Sequence, residues 1–165
     1  MKKARQSSPD LGLFTTLART DLFLDALQRE CLGEHGLTFS EYSVLRLLQQ
    51  AEAQTSTPSQ LAEAIICTTG AMTKLVDRLE RNALVQRKPN PSDRRAVRVE
   101  ITRAGQKTAD RAAETYRLGR ERVLTELGED QAAKIHQHLS ELLGAFERIR
   151  SSTSKASENA AKRAS

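Results

Sequence analysis

The chain has 165 residues, 38% hydrophobic and 4% aromatic with no tryptophan, and 26 Lys and Arg against 21 Asp and Glu give it a formal charge of +5. That length suits one compact core with helical extensions and is short for two full domains; the basic balance, with a pI near 9.5, suits a polyanionic partner without requiring one. No stretch approaches the ~20 apolar residues of a membrane span, and no apolar run follows the basic residues of Met1 to Asp10, so a cytoplasmic protein without a membrane partner is expected.

Residues 1–10 read as a flexible N-terminus. Leu11 to Cys31 reads as a helix with Leu13, Leu17, Leu24 and Leu27 along one side and Phe14 and Phe23 flanking them, ending near Gly33 and Gly36. Thr38 to Glu41 is a T-x-x-E capping box that starts a second helix running to about Gln50. After a polar stretch, Ala51 to Ser56, Thr57 as N-cap with Pro58 and Gln60 behind it opens a third helix, with Leu61, Ala62, Ile65 and Ile66 as its buried face. The next helix begins at Thr68 or Thr69, so close that the two must cross steeply, as in a helix-turn-helix. Met72, Leu75, Val76 and Leu79 form its inner stripe, which turns Gly70, Thr73, Lys74, Asp77 and Arg81 outward. Arg78 lies on the flank, within reach of either DNA or a carboxylate of its own protein.

Leu84 to Lys88 and Val97 to Ile101 read as the strands of a hairpin, with a turn from Pro89 to Asp93. Between Arg87 and Arg98 stand Arg87, Lys88, Arg94, Arg95 and Arg98 against Asp93, a local charge of +4 that gathers most of the surplus positive charge on one hairpin. Beyond it, Thr102 to Leu127 reads as a long helix that Gly128 breaks. Ile135, Leu139, Leu142, Phe146 and Ile149 then follow at spacings of 4, 3, 4 and 3, a coiled-coil-like seam that wants a partner. Residues 151–165, rich in Ser, Ala and Lys, read as a disordered tail.

The resulting fold class is mainly α with a small β-hairpin wing: a winged helix-turn-helix lobe over 38–101 and a helical dimerisation region over 11–37 and 102–150. No G-x-S-x-G, phosphate loop, H-E-x-x-H or nucleophile–base pairing occurs, so no enzyme is expected. Cys31 and Cys67 are spaced for neither a metal knuckle nor a redox pair; His136 and His138 diverge on their helix and His35 stands alone, so neither metal nor cofactor is expected.

The segments TPSQLAEAI, TTGAMTKLVDRLERNALVQR and DRRAVRVEITRAG resemble the DNA-binding lobe of the MarR family of bacterial transcription regulators, and the order of flanking helices extends the resemblance to roughly Leu11–Ile149. Asp93 and Arg95 fall on the family's D-x-R wing motif, and Thr102 and Gly105 on its L-T-x-x-G, with Ile101 in place of the Leu. Ala83 departs from the Gly often found before the first wing strand.

The resemblance implies a homodimer that sets two recognition helices in successive major grooves of a palindromic operator in double-stranded DNA. Thr73 and Lys74 would face bases and phosphates. Thr57, Ser59, Thr68 and Thr69 would offer hydroxyls and helix N-terminal amides to phosphates, although Thr57, Thr68 and Thr69 serve equally as helix caps. Gly70, Arg78, Arg87 and Arg94 complete the DNA-facing set, and Arg95, oriented by Asp93, would enter the minor groove. Leu13 and Leu17, with Ile135, Leu139, Leu142 and Phe146, would form the dimer interface. Family members commonly respond to small anionic or phenolic molecules; Arg19, Tyr42 and Arg46 could offer an anion site, or the arginines could pair with Asp21 or Asp25. The expectation is a repressor released from its operator by such an effector. The alternatives are a winged-helix module that docks an acidic protein and a cysteine-based redox regulator, for which Cys67 reads rather as packed core.

Overall fold

In a computed structural model the backbone is described for residues 9–90 and 93–163, and side chains for residues 12–90 and 97–152. The chain order is α1 (Pro9–Gly33), α2 (Phe39–Gln50), a 3-10 turn (Glu52–Gln54), β1 (Thr55–Ser56), α3 (Pro58–Ala64), α4 (Thr69–Arg81), β2 (Val85–Asn90), β3 (Asp93–Ile101), α5 (Arg103–Leu127) and α6 (Glu129–Arg163). The fold is mainly helical with one small antiparallel sheet, ordered β1-β3-β2. It divides into two compact units, Met1–Gly119 and Arg120–Ser165.

Local chemistry sets where the helices of the first unit start. Thr38 Oγ1 accepts from the Glu41 amide at 3.3 Å while Glu41 Oε2 accepts from the Thr38 amide at 2.8 Å, so both halves of the capping box form. Thr57 and Gln60 repeat the device at α3, at 3.3 and 3.0 Å. Thr68 caps α4 by accepting from the Ala71 amide at 3.2 Å. With only seven residues, α3 is too short to persist on propensity alone. Burial of Leu61 against Leu45, Leu48, Met72, Val76 and Leu79 in one cluster holds it in place, each such side chain contributing about 2 kcal/mol. The same cluster takes in Cys31, Leu32, Ala109, Ala112 and Tyr116, so α1 and the start of α5 share their core with the winged helix.

Three helices end in the same way. The amides of Gly36 and Leu37 bond back to Gly33 and Leu32, those of Ile66 and Cys67 to Glu63 and Ala62, and those of Ala83 and Leu84 to Glu80 and Leu79. Each is a Schellman motif, whose penultimate residue adopts the left-handed conformation that glycine favours. Only Gly36 (φ 69°) meets that preference; Ile66 (φ 55°) and Ala83 (φ 57°) do not. The Gly-to-Ala departure noted at residue 83 therefore falls on a position that selects for glycine.

Ile66 is also a correction. It does not join the buried face of α3, because the helix stops at Ala64 and the left-handed turn swings its side chain out to 66% exposure. A left-handed L-residue costs about 1–2 kcal/mol, more than the ~0.5–1 kcal/mol of glycine's extra chain entropy, and little packing is lost at so exposed a position. Ile66→Gly is expected to raise the thermal midpoint by about 3 °C in a calorimetric scan, and an unchanged or lowered midpoint would show that the isoleucine contributes packing of comparable size.

Other differences concern the sheet and the chain's end. Thr55 and Ser56, read as linker, pair with Glu100 and Val99 and add a third strand. The hairpin is longer than the alternation of apolar and polar residues suggests: Pro89 pairs with Val97 and Asn90 with Asp93, and among the described residues none is paired with Arg94, Arg95 or Ala96. The backbone of α6 runs helically to Arg163, through the stretch read as a disordered tail; its Ala, Lys and Glu residues are good helix formers even where nothing apolar is available to bury.

Candidate nucleic-acid interface

The first turn of α4 is polar and open. Thr68, Thr69, Gly70, Thr73 and Lys74 are all exposed, and a Cβ at Gly70 would meet nothing within 4 Å. The hydroxyl of Thr68 accepts the Ala71 amide and keeps its proton for a ligand; that of Thr73 donates to the Thr69 carbonyl at 3.0 Å and keeps its lone pairs. Thr57 is more fully engaged, since its hydroxyl also donates to Gln60 Oε1 at 3.0 Å. Ser59 is exposed in the first turn of α3.

The basic residues divide into committed and uncommitted. Arg78 takes the intramolecular alternative: its Nε lies 2.8 Å from Oε1 of Glu41, a carboxylate only 2% exposed. That oxygen receives no well-aligned hydrogen bond, so the contact is ionic, while Oε2 serves the capping box. Arg87 is likewise no free ligand for phosphate. Its Nη2 stands 2.6 Å from Asp77 Oδ1, its Nη1 bonds Glu80 Oε2, and its backbone amide donates to Glu80 Oε1 at 3.0 Å. Burial pushes its guanidinium pKa down, and the bonds and charges of Asp77 and Glu80 outweigh that and hold it above the ordinary value.

Lys88 pairs with Glu100 at 2.8 Å. The Lys88 hydrogen bond, opposed by burial and helped by the lysine charge and the Gln86 amide, holds the Glu100 carboxyl below its usual range. The +4 read for the hairpin therefore overstates its free charge, because Arg87 and Lys88 are neutralised by carboxylates that lie outside the stretch from Arg87 to Arg98. Arg98 has no recorded carboxylate partner among the described residues. The side chains of Asp93, Arg94 and Arg95 lie outside the described residues.

Around α2, Tyr42 packs edge-on against Tyr116 at 5.8 Å between ring centroids, with Phe39 6.1 Å from Tyr116. Arg46 donates to Gln49 at 2.8 Å and stands 4.0 Å from Asp110, whereas Arg19 lies on the exposed part of α1. Tyr42 and Arg46 are thus each occupied by protein partners, and Asp25 pairs with Arg29 at 2.5 Å rather than with Arg19. His35, read as a lone loop residue, shares a 2.8 Å hydrogen bond with Thr115 of α5. Cys31 is buried and Cys67 half-buried. Among the described residues no group of three or more His, Cys, Asp or Glu could hold a metal ion, and no helix is long and apolar enough to cross a membrane.

Two helices joined by a tight turn, a three-stranded sheet with the β2–β3 hairpin as its wing, and an exposed hydroxyl- and lysine-bearing first turn define a winged helix-turn-helix protein. Residues 37–97 match the MarR family. Over 87% of its length it is 27% identical to the HTH-type transcriptional regulator PecS of Dickeya dadantii, covering 88% of that protein. Over 58% of its length it is 34% identical to the HTH-type transcriptional regulator MhqR of Bacillus subtilis, covering 64% of that one. The crystal structure of a mutant MarR from E. coli, complexed with operator DNA, superposes with a TM-score of 0.75 at 26% identity, over 83% of this chain and 99% of that one. The chain is accordingly a transcription regulator similar to those of the MarR family, whose members are not enzymes.

Proposed function

We propose that this regulator acts in the cytoplasm as a homodimer that binds a palindromic operator, represses transcription there, and lets go when a small anionic or phenolic molecule binds. The observation that carries the reading is the uncommitted first turn of α4. Thr68, Thr69, Gly70, Thr73 and Lys74 are exposed together at a helix N-terminus, where backbone amides and the helix dipole favour a phosphate and Lys74 can approach base edges. The operator complex of the E. coli MarR mutant supports it as a structural parallel. Arg94 and Arg95 at the end of the wing suit the minor groove, whose negative potential attracts guanidinium groups. Dimerisation is supported by large apolar side chains left exposed on single helices: Leu13 and Phe14 on α1, and Ile135, Leu139, Phe146 and Ile149 on α6.

Selection of bound duplexes from a random DNA library at physiological salt tests the reading. The expected product is an inverted repeat with half-site centres about 34 Å apart, one turn of the duplex. A folded dimeric protein that enriches no repeat, with or without a panel of phenolic and anionic effectors, would overturn it.

A further inference from the structure

A DNA-facing helix gains nothing from acidic residues near its exposed face, since they repel phosphates. Yet α4 carries Asp77 and Glu80, and both are turned onto Arg87 of β2. Asp77 binds one guanidinium nitrogen; Glu80 binds the other and the Arg87 backbone amide as well. A planar fork held by two carboxylates of one helix fixes orientation as well as distance. The fork is also sheltered, at 29% exposure, so water competes with it only in part. Arg87 thereby adds a polar link between the wing, through β2, and the recognition helix, beyond the short turn and the shared core of Leu79 and Val85 that already join them.

We propose that Arg87 is a positioning residue for DNA recognition, clamped by Asp77 and Glu80 so that wing and recognition helix meet the duplex at one fixed angle. The role rests on the DNA-binding reading above, and it explains why acids are kept on this helix. It also separates Arg87 from Arg94, Arg95 and Arg98 on the same hairpin: they supply charge to the partner, and Arg87 supplies geometry.

The test compares Arg87→Ala, Arg87→Lys and the pair Asp77→Asn with Glu80→Gln, each confirmed as folded by its unfolding transition. The probes are the inverted-repeat duplex selected by the wild-type protein and a random duplex of equal length. Neutralising the two acids raises the local positive charge, so electrostatics alone calls for tighter binding to both duplexes. The clamp calls for tighter binding to the random duplex and about tenfold lower preference for the repeat. Arg87→Ala is expected to lose the same preference with its salt slope unchanged, Arg87→Lys part of it, and the triple variant no more than Arg87→Ala alone.

A slope reduced by about one with preference retained would make Arg87 a direct phosphate ligand and overturn the proposal. Retained preference in the acid pair variant would overturn it equally. Hydrogen exchange on the free protein decides the clamp without DNA: the β2–β3 amides should exchange about tenfold faster in Arg87→Ala, and unchanged protection would sink it. A wild-type protein that prefers no duplex would instead remove the DNA-binding reading, and with it the proposed role.

Discussion

Gly105→Ala is expected to cost about 3 kcal/mol of folding stability, the upper end for overpacking a core, and to lower the thermal midpoint by about 10 °C. A Cβ there would lie 2.1 Å from the Leu84 carbonyl oxygen and 2.8 Å from Cγ1 of Ile101. The first of these atoms is backbone and cannot step aside cheaply. Leu84 O already accepts from the Thr102 amide at 3.0 Å and from its hydroxyl at 3.1 Å, so displacing it breaks the bonds that root the wing on α5. Gly70→Ala, which meets no atom within 4 Å, is the matched control. Urea unfolding of the two variants checks the expectation, and a loss below 1 kcal/mol for Gly105→Ala would mean that the root of the wing yields more readily than its hydrogen bonds imply.

Replacing Leu139 and Leu142 together with Asp is expected to give monomers that no longer bind the inverted repeat selectively. Leu139 is 46% exposed on its own helix, and Ile135 and Phe146 continue its stripe at helical spacing. Leu142 is already half-buried, so covering what remains exposed of each leucine in a twofold interface contributes about 1 kcal/mol at most; the four in a dimer account for at most roughly 4 kcal/mol, about three decades in dissociation constant, before any cost of a carboxylate on the apolar face. Sedimentation velocity at micromolar concentration reads the outcome, with the far-ultraviolet helical signal as the check on folding. A variant that sediments as the wild-type dimer would place the interface elsewhere.

The helix starts were legible because they are written in short-range chemistry. Thr38 with Glu41, Thr57 with Gln60, and Thr68 each declare a cap within four residues, and each cap formed. The inner stripe of α4 followed from its period, with Met72, Val76 and Leu79 fully buried. What escaped was what depends on distant partners. Thr55 and Ser56 become a strand only because Glu100 and Val99 lie beside them, and nothing in two polar residues announces that.

The charge pairing also escaped, though a signal was present. Val85 and Arg87 share one face of β2, opposite Ile101 and Val99 on β3, so strict alternation already turns Arg87 inward. Asp77 and Glu80, three apart on α4, share a face as well. Counting the hairpin's charges along the sequence obscured both. Ile66 escaped for another reason: residue type marked it as core, and only the end of α3 at Ala64 shows that it lies two residues past the helix.

The glycine-free turn between α3 and α4 bears on the order in which the domain assembles. Nothing in Ile66 or its neighbours favours the left-handed bend over the alternatives open to an unfolded chain, so the bend is imposed once α3 and α4 are both in place. A segment of that kind contributes little to a folding nucleus and closes late. Its strain then weighs on the rate of unfolding more than on the rate of folding, and the turn at the heart of the motif is a product of the finished domain rather than a seed for it.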